Sequence, residues 1–178
     1  MPVPEHLSLV GADADEAVEQ LYAAHWRQLV RLSVLLVHDQ GAAEDVVQDA
    51  FVAMHGKWTR LRDPDKALAY LRQAVVNRSR SALRHRAVVE RHVRTTPPGE
   101  GVVDGPSLGG ARRDAVRDAL CQLSERQREV LVLRYYLDWS EAQIAEAIGV
   151  SRGAVKSHAS RGSAALRELL GDWWEDPS

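Results

Sequence analysis

Arg152, Lys156, Ser157, His158, Ser160 and Arg161 fall within ten positions near the C-terminal end of the 178-residue chain. They are hydrogen-bond donors, and such donors on one short stretch suit phosphates and the acceptor edges of the DNA major groove. A second group lies far upstream. Asp45, Gln48, Asp49 and Val52 repeat at i, i+3, i+4 and i+7, a mixed acidic and apolar stripe of the kind that docks on a basic partner helix. A third group crowds the middle: Arg72, Arg78, Arg80, Arg84, Arg86, Arg91 and Arg94, with Glu90 as the opposing charge. Phosphate contacts by such a face release counterions. Asn77 interrupts it with an amide that both donates to and accepts from a base edge. All three groups point to recognition rather than to bond-making.

Each group needs an element to hold it. Ser140 with Gln143 three residues later is a capping-box start, and Ile144, Ala145 and Ile148 follow at helical spacing. Gly149 stops that helix by tolerating a left-handed backbone. Ser151 then caps a second helix, anchored by Val155 and Leu166. A small residue at the crossing, glycine in the turn and an apolar anchor beyond it describe a helix-turn-helix, whose second helix carries Arg152 to Arg161 outward. Ser124 with Gln127 opens another helix, through Val130, Leu131, Leu133 and Arg134. Val116, Ala119, Leu120 and Leu123 form a helix before it.

In the N-terminal half, Val18, Leu21, Tyr22, Trp26, Leu29, Val30, Ser33 and Leu36 predict a helix over 15–37, ended by His38-Asp39-Gln40-Gly41. Val46, Val47, Ala50, Phe51 and Met54 predict another over 42–58, with the acidic stripe on its other side. A basic loop, Thr59 to Arg62, contributes Arg60 and Arg62, and a loop is well placed to pocket an unstacked base. Asp63-Pro64 then starts a long helix running to about Glu90. Leu68, Leu71, Val75 and Ala82 point one way; Gln73, Asn77, Arg80 and Arg84 share another face.

The expected architecture is all-α: two small helical domains joined by a flexible linker, with the helix-turn-helix in the second. Residues 1–14 read as an arm, 15–94 as the first domain and 95–111 as the linker. Residues 112–172 make the second domain and 173–178 a tail, with Trp173 and Trp174 as a hydrophobic latch. Proline and glycine are dense in the linker, which spans roughly 50 Å when fully stretched. The net charge of −2 argues against a globally basic nucleic-acid coat, so the separated acidic and basic faces imply different partners. The lone Cys121 forms no internal disulfide and is expected as a small core thiol. The seven histidines lack metal-ligand spacing. No phosphate loop or nucleophile elbow appears, so no catalytic residue, cofactor or metal is assigned. Nothing resembles a signal peptide or a membrane span, which points to a cytoplasmic protein without membrane insertion.

Three stretches together carry a resemblance. AAEDVVQDAFVAMHGKW, from Ala42 to Trp58, resembles the polymerase-binding helix of region 2 in bacterial sigma factors. AYLRQAVVNRSRSALRHR, from Ala69 to Arg86, resembles their promoter −10 helix. Leu123 to Leu169 resembles region 4, and the order, linker and size resemble the extracytoplasmic-function (ECF) sigma factors. The resemblance implies that Asp45, Gln48 and Asp49, with Val52 on the same face, dock on the β′ coiled coil of core RNA polymerase. It implies that the loop from Trp58 to Asp63 captures a flipped −10 base while Arg72, Asn77, Arg80 and Arg84 grip nearby DNA. Arg152, Lys156, Ser157, Ser160 and Arg161 would read the −35 element, His158 lies among them, and region 4 would hold the β flap. The resemblance also admits an anti-sigma protein as partner. Two positions depart from the family pattern: Ser81 stands where an acid is usual, and Ser160 where a bulkier residue is frequent. The alternative kept open is a helix-turn-helix regulator that is not a polymerase subunit.

Overall fold

Asp13 starts the first helix, its carboxylate accepting the Glu16 amide at 2.9 Å. The computed structural model describes residues 13–61, 63–92 and 108–171. Arg62, the linker core, Arg94 and the Trp173-Trp174 latch lie outside the described residues, as does most of the expected arm. Helix α1 (Ala14–Val37) ends on His38, which adopts a left-handed φ of 58°. Asp39 immediately caps α2 (Gln40–His55) through the Ala42 amide at 2.7 Å. The reversal therefore takes His38 and Asp39 alone, and Gln40 and Gly41, expected in the break, are helical. Helix α2 stops at His55, short of the expected Trp58. Trp58 instead buries its indole and opens a 3-10 turn (Trp58–Arg60). Asp63 caps a second 3-10 turn (Pro64–Lys66), which runs into α3 (Ala67–His92).

These three helices pack pairwise into the N-terminal unit. Leu21, Leu29 and Leu32 of α1 meet Val47 and Met54 of α2 and Leu71, Val75 and Val76 of α3 in its core. Full burial of each such side chain contributes about 2 kcal/mol. The Ser33 and Ser79 hydroxyls, both removed from solvent, pair at 3.0 Å between α1 and α3 and so satisfy each other. Helix α3 thus buries a wider arc than the single stripe read from the sequence.

His25 of α1 is buried beside the Arg72 guanidinium of α3. Burial pushes its imidazole below the ordinary value of 6.5, the Arg72 charge pushes the same way, and a hydrogen bond with Gln28 opposes them. The folded state therefore binds fewer protons than the unfolded chain in mildly acid solution. The stability that neutral His25 contributes is present above the unfolded value and is lost as pH falls through the folded one. Thermal melts should show a lower midpoint at about pH 5.5 than at about pH 7.5. The substitution His25→Gln should flatten that dependence.

The second unit comprises α4 (Leu108–Gln122), α5 (Glu125–Tyr135), α6 (Glu141–Ile148) and α7 (Arg152–Leu170). Packing divides the chain between Pro98 and Gly99. Helix α4 begins ahead of the expected Arg112 and carries Gly109 and Gly110, which the sequence reading placed in the linker. Both expected capping boxes form, Ser124 with Gln127 and Ser140 with Gln143. Gly149 turns between α6 and α7 at φ 68°, and Ser151 caps α7 through the Ala154 amide at 3.1 Å. Helix α7 packs on α4, α5 and α6, burying Val155, Ala159, Gly162 and Leu170. Cys121 corrects an expectation: it is exposed near the end of α4, one step past the buried Ala119 and Leu120. Partial desolvation pushes its thiol up, which disfavours the thiolate. No strand occurs among the described residues, and none of their helices is long and apolar enough to cross a membrane.

Candidate nucleic-acid interface

Because α2 buries Val46, Val47, Ala50, Phe51 and Met54, its opposite side is left to solvent. Asp45, Gln48 and Asp49 are exposed there, and Val52 is 67% exposed. Among the described residues neither Asp45 nor Asp49 makes an ion pair. An isolated surface helix gains from a cation at i+4; here two carboxylates stand one turn apart beside an uncovered valine. The arrangement suits a partner that brings cations and an apolar contact together.

Asp49 also borders α3. With Val46 of α2 it lines a groove of about 430 Å³ whose other wall is Asn77, Arg78, Ser81, Ala82 and His85. A second cleft, about 270 Å³, is lined by Ala53, Lys57, Tyr70, Gln73, Ala74, Asn77 and Arg78. The acidic and basic helices, read from sequence as separate surfaces, therefore share a groove. Asn77 is exposed between the two clefts, and its Oδ1 accepts from Gln73 Nε2 at 3.2 Å, which leaves its own NH2 to donate elsewhere. Arg84 donates to the Ser81 hydroxyl at 2.8 Å. Ser81, standing where the family pattern has an acid, thus still takes a guanidinium. The Lys57 ammonium sits 5.9 Å from the Tyr70 ring centroid, within cation–π range.

The candidates on α3 do not all converge. At about 100° per residue, Arg72 lies about 140° from Asn77. It is half-buried against α1 near His25, with its Nε removed from solvent. Arg80 is half-buried and Arg84 exposed. Arg60 is exposed in the 3-10 turn that buried Trp58 anchors. Arg78 was counted among the arginines but not assigned to the site. It lines both clefts beside Asn77, and its Nε is buried without a hydrogen-bond partner. The signal that finds it is its turn toward α2 and Asp49, about 100° from Asn77 around the helix.

On α7, Arg152, Lys156, Ser157, Ser160 and Arg161 are all exposed, while Val155, Ala159 and Gly162 are buried. Arg161 Nε donates to the Ser157 carbonyl at 3.3 Å, holding its guanidinium along the helix. His158 is half-buried; it lies about 160° from Lys156 around the helix but about 60° from Arg161, at the edge of the exposed surface. The helix-turn-helix thus presents a continuous cationic and hydroxyl surface, and the rest of its unit holds that surface in place. Among the described residues no group of His, Cys, Asp and Glu could hold a metal ion.

Both units resemble known proteins. The profile of sigma-70 region 2 matches residues 21–88, and that of sigma-70 region 4 matches 113–166. The chain is 36% identical over 142 residues to the RNA polymerase sigma-E factor of Streptomyces avermitilis, covering 80% of this chain and 78% of that protein. It is 35% identical over 167 residues to the ECF RNA polymerase sigma factor SigL of Mycobacterium tuberculosis, covering 90% and 93%. The chain belongs to the ECF branch of the sigma-70 family. The sigma factor RpoE, solved in complex with the anti-sigma factor NepR from Bartonella quintana, shares the fold. Its TM-score is 0.72 at 24% identity, over 85% of this chain and 95% of that one. Region 2 of this ECF sigma factor coincides with α1 to α3, and region 4 falls on the unit that carries the helix-turn-helix.

Proposed function

We propose that this sigma factor binds core RNA polymerase and directs promoter-specific transcription initiation by recognising −10 and −35 elements. Asp45, Gln48, Asp49 and Val52 dock on the β′ coiled coil. Arg60, Arg62, Asn77, Arg80 and Arg84 contact the −10 region, with Arg78 added from the clefts it lines and Arg72 at the edge nearest α1. Arg152, Lys156, Ser157, Ser160 and Arg161 read the −35 element, with His158 at the margin of that face, and region 4 holds the β flap. The first domain runs from the start of α1 through α3, and the second begins with α4 at Leu108, ahead of the expected 112. The protein acts in the cytoplasm, has no catalytic step of its own, and is open to control by an anti-sigma protein.

The observation that carries this reading is the coincidence of the two sigma-70 matches with the units bearing the acidic stripe and the cationic helix. The physics runs with it. Each DNA-reading surface is small and binds weakly alone. Tethering both to one polymerase makes the second contact intramolecular and multiplies avidity. The clefts beside Asn77 offer an aromatic ring in Tyr70, cations in Lys57 and Arg78, and amides in Gln73 and Asn77. Those groups stack on an unstacked base and meet its edge. The test is transcription from a −35-dependent promoter by holoenzyme carrying Lys156→Ala or Arg161→Ala. Each should lower initiation roughly tenfold; an unaffected promoter removes that residue from the site.

A further inference from the structure

Glu141 opens α6 and carries the only side chain that ties three helices of the second unit together through charge among the described residues. One carboxylate oxygen accepts from Arg134 Nη2 of α5 at 2.9 Å. The other lies 3.8 Å from Lys156 Nζ of α7. Glu141 is 20% exposed and Arg134 34%, whereas Lys156 is 67% exposed. An acid next to a DNA-reading surface repels phosphates, so it belongs there only if it does something for its neighbours. Here it gathers two cations into one cluster of net charge +1. The Arg134 guanidinium is held at hydrogen-bond length. The Lys156 ammonium is held loosely, and mostly in solvent, where it is free to exchange Glu141 for an acceptor on DNA.

We propose that Glu141 is a positioning residue for −35 recognition: it orients Arg134 and Lys156 against one DNA patch and restrains Lys156 from indiscriminate phosphate contacts. The inference rests on the reading that Lys156 touches the −35 element. Its consequence is that Glu141 lowers affinity and raises discrimination. With the carboxylate neutralised, Lys156 reaches phosphates at any sequence, and its contribution at its own base pairs is diluted. The lysine is then no longer partly neutralised in the free protein, so binding also becomes more salt-dependent.

The experiment uses holoenzyme assembled with core polymerase and a promoter duplex library randomised across the −35 element. Bound sequences are counted for the unaltered chain, Glu141→Gln, Lys156→Ala and the double variant. The Glu141→Gln holoenzyme should bind scrambled −35 duplexes several-fold more tightly, with a salt slope steeper by about one. Its sequence preference should weaken at the base pairs where Lys156→Ala also weakens it. In the Lys156→Ala background, Glu141→Gln should change those positions no further. The charge-retaining Glu141→Asp should restore the salt slope, separating charge from loss of fold. If Lys156→Ala alters the preference and Glu141→Gln leaves it unchanged or alters other base pairs, the positioning role is wrong while the DNA contact stands. If Lys156→Ala leaves the preference unchanged, the contact and the positioning role fall together.

Discussion

A chain carrying Asp45→Lys and Asp49→Lys should no longer be recovered with core RNA polymerase. Each substitution replaces a carboxylate by an ammonium on a face that meets a basic partner. Lost attraction and new repulsion act together, and removing one member of a close interfacial charge pair costs about 2–5 kcal/mol. Affinity should therefore fall by more than a hundredfold, taking about 3 kcal/mol as a lower bound for the pair of changes. The fold should not suffer. Both side chains are exposed, they pair with no cation among the described residues, and the buried side of α2 from Val46 to Met54 is untouched. Co-purification with tagged core enzyme checks the result, with circular dichroism as the control on folding. Unchanged recovery with core would remove the docking face from α2.

The second large effect lies where Gly162 of α7 faces Gln127 and Leu131 of α5. A Cβ built on Gly162 would stand 3.1 Å from Gln127 Cβ, 3.1 Å from Leu131 Cδ1 and 3.3 Å from Leu131 Cγ. Alanine gains about 1 kcal/mol of helix propensity over glycine. Its single methyl presses on Leu131, which can give slightly, and on Gln127 Cβ, which moves only with the α5 backbone, so the propensity gain is offset and Gly162→Ala should be mildly destabilising. Leucine has no such room, because the helices would have to separate. Gly162→Leu should cost about 3 kcal/mol by overpacking. It should also spoil −35-dependent transcription by displacing the face that carries Lys156 and Arg161. Hydrogen exchange is the discriminating readout. Amides of α5 to α7 should lose protection in the leucine variant while those of α1 to α3 keep theirs. Equal protection in both units would mean that α5 and α7 are not held at this distance.

These two positions mark what the sequence made legible. The acidic stripe was visible because a surface helix writes its pattern in one period, and the caps Ser124, Ser140 and Ser151 were visible because capping is local. Gly149 was visible for the same reason, since one left-handed residue ends one helix. Gly162 carried no such mark: glycine within a helix is unexplained until the neighbouring helix is in place. Val76 and Ser79 were missed because α3 packs against both α1 and α2, so its buried arc is wider than one stripe. Arg78 was missed for a related reason, since its place in a groove beside Asp49 shows only once α2 is packed on α3. The Glu141 cluster joins residues of three different helices, which no single-helix period reveals. The expected break at His38 to Gly41 was too long because Gly41 was read as a breaker, whereas the Asp39 cap lets the helix begin ahead of it.

The claim beneath all of this is that a carboxylate face grips polymerase first and two cationic faces engage DNA only through it. In vitro transcription of genomic DNA with purified core polymerase, followed by sequencing of the transcript ends, tests it most directly. Start sites should appear only when the chain is added, share elements about 10 and 35 base pairs upstream, and vanish with the Asp45→Lys, Asp49→Lys chain. No chain-dependent start sites, or tight binding of the same duplexes by the chain without core enzyme, would contradict it.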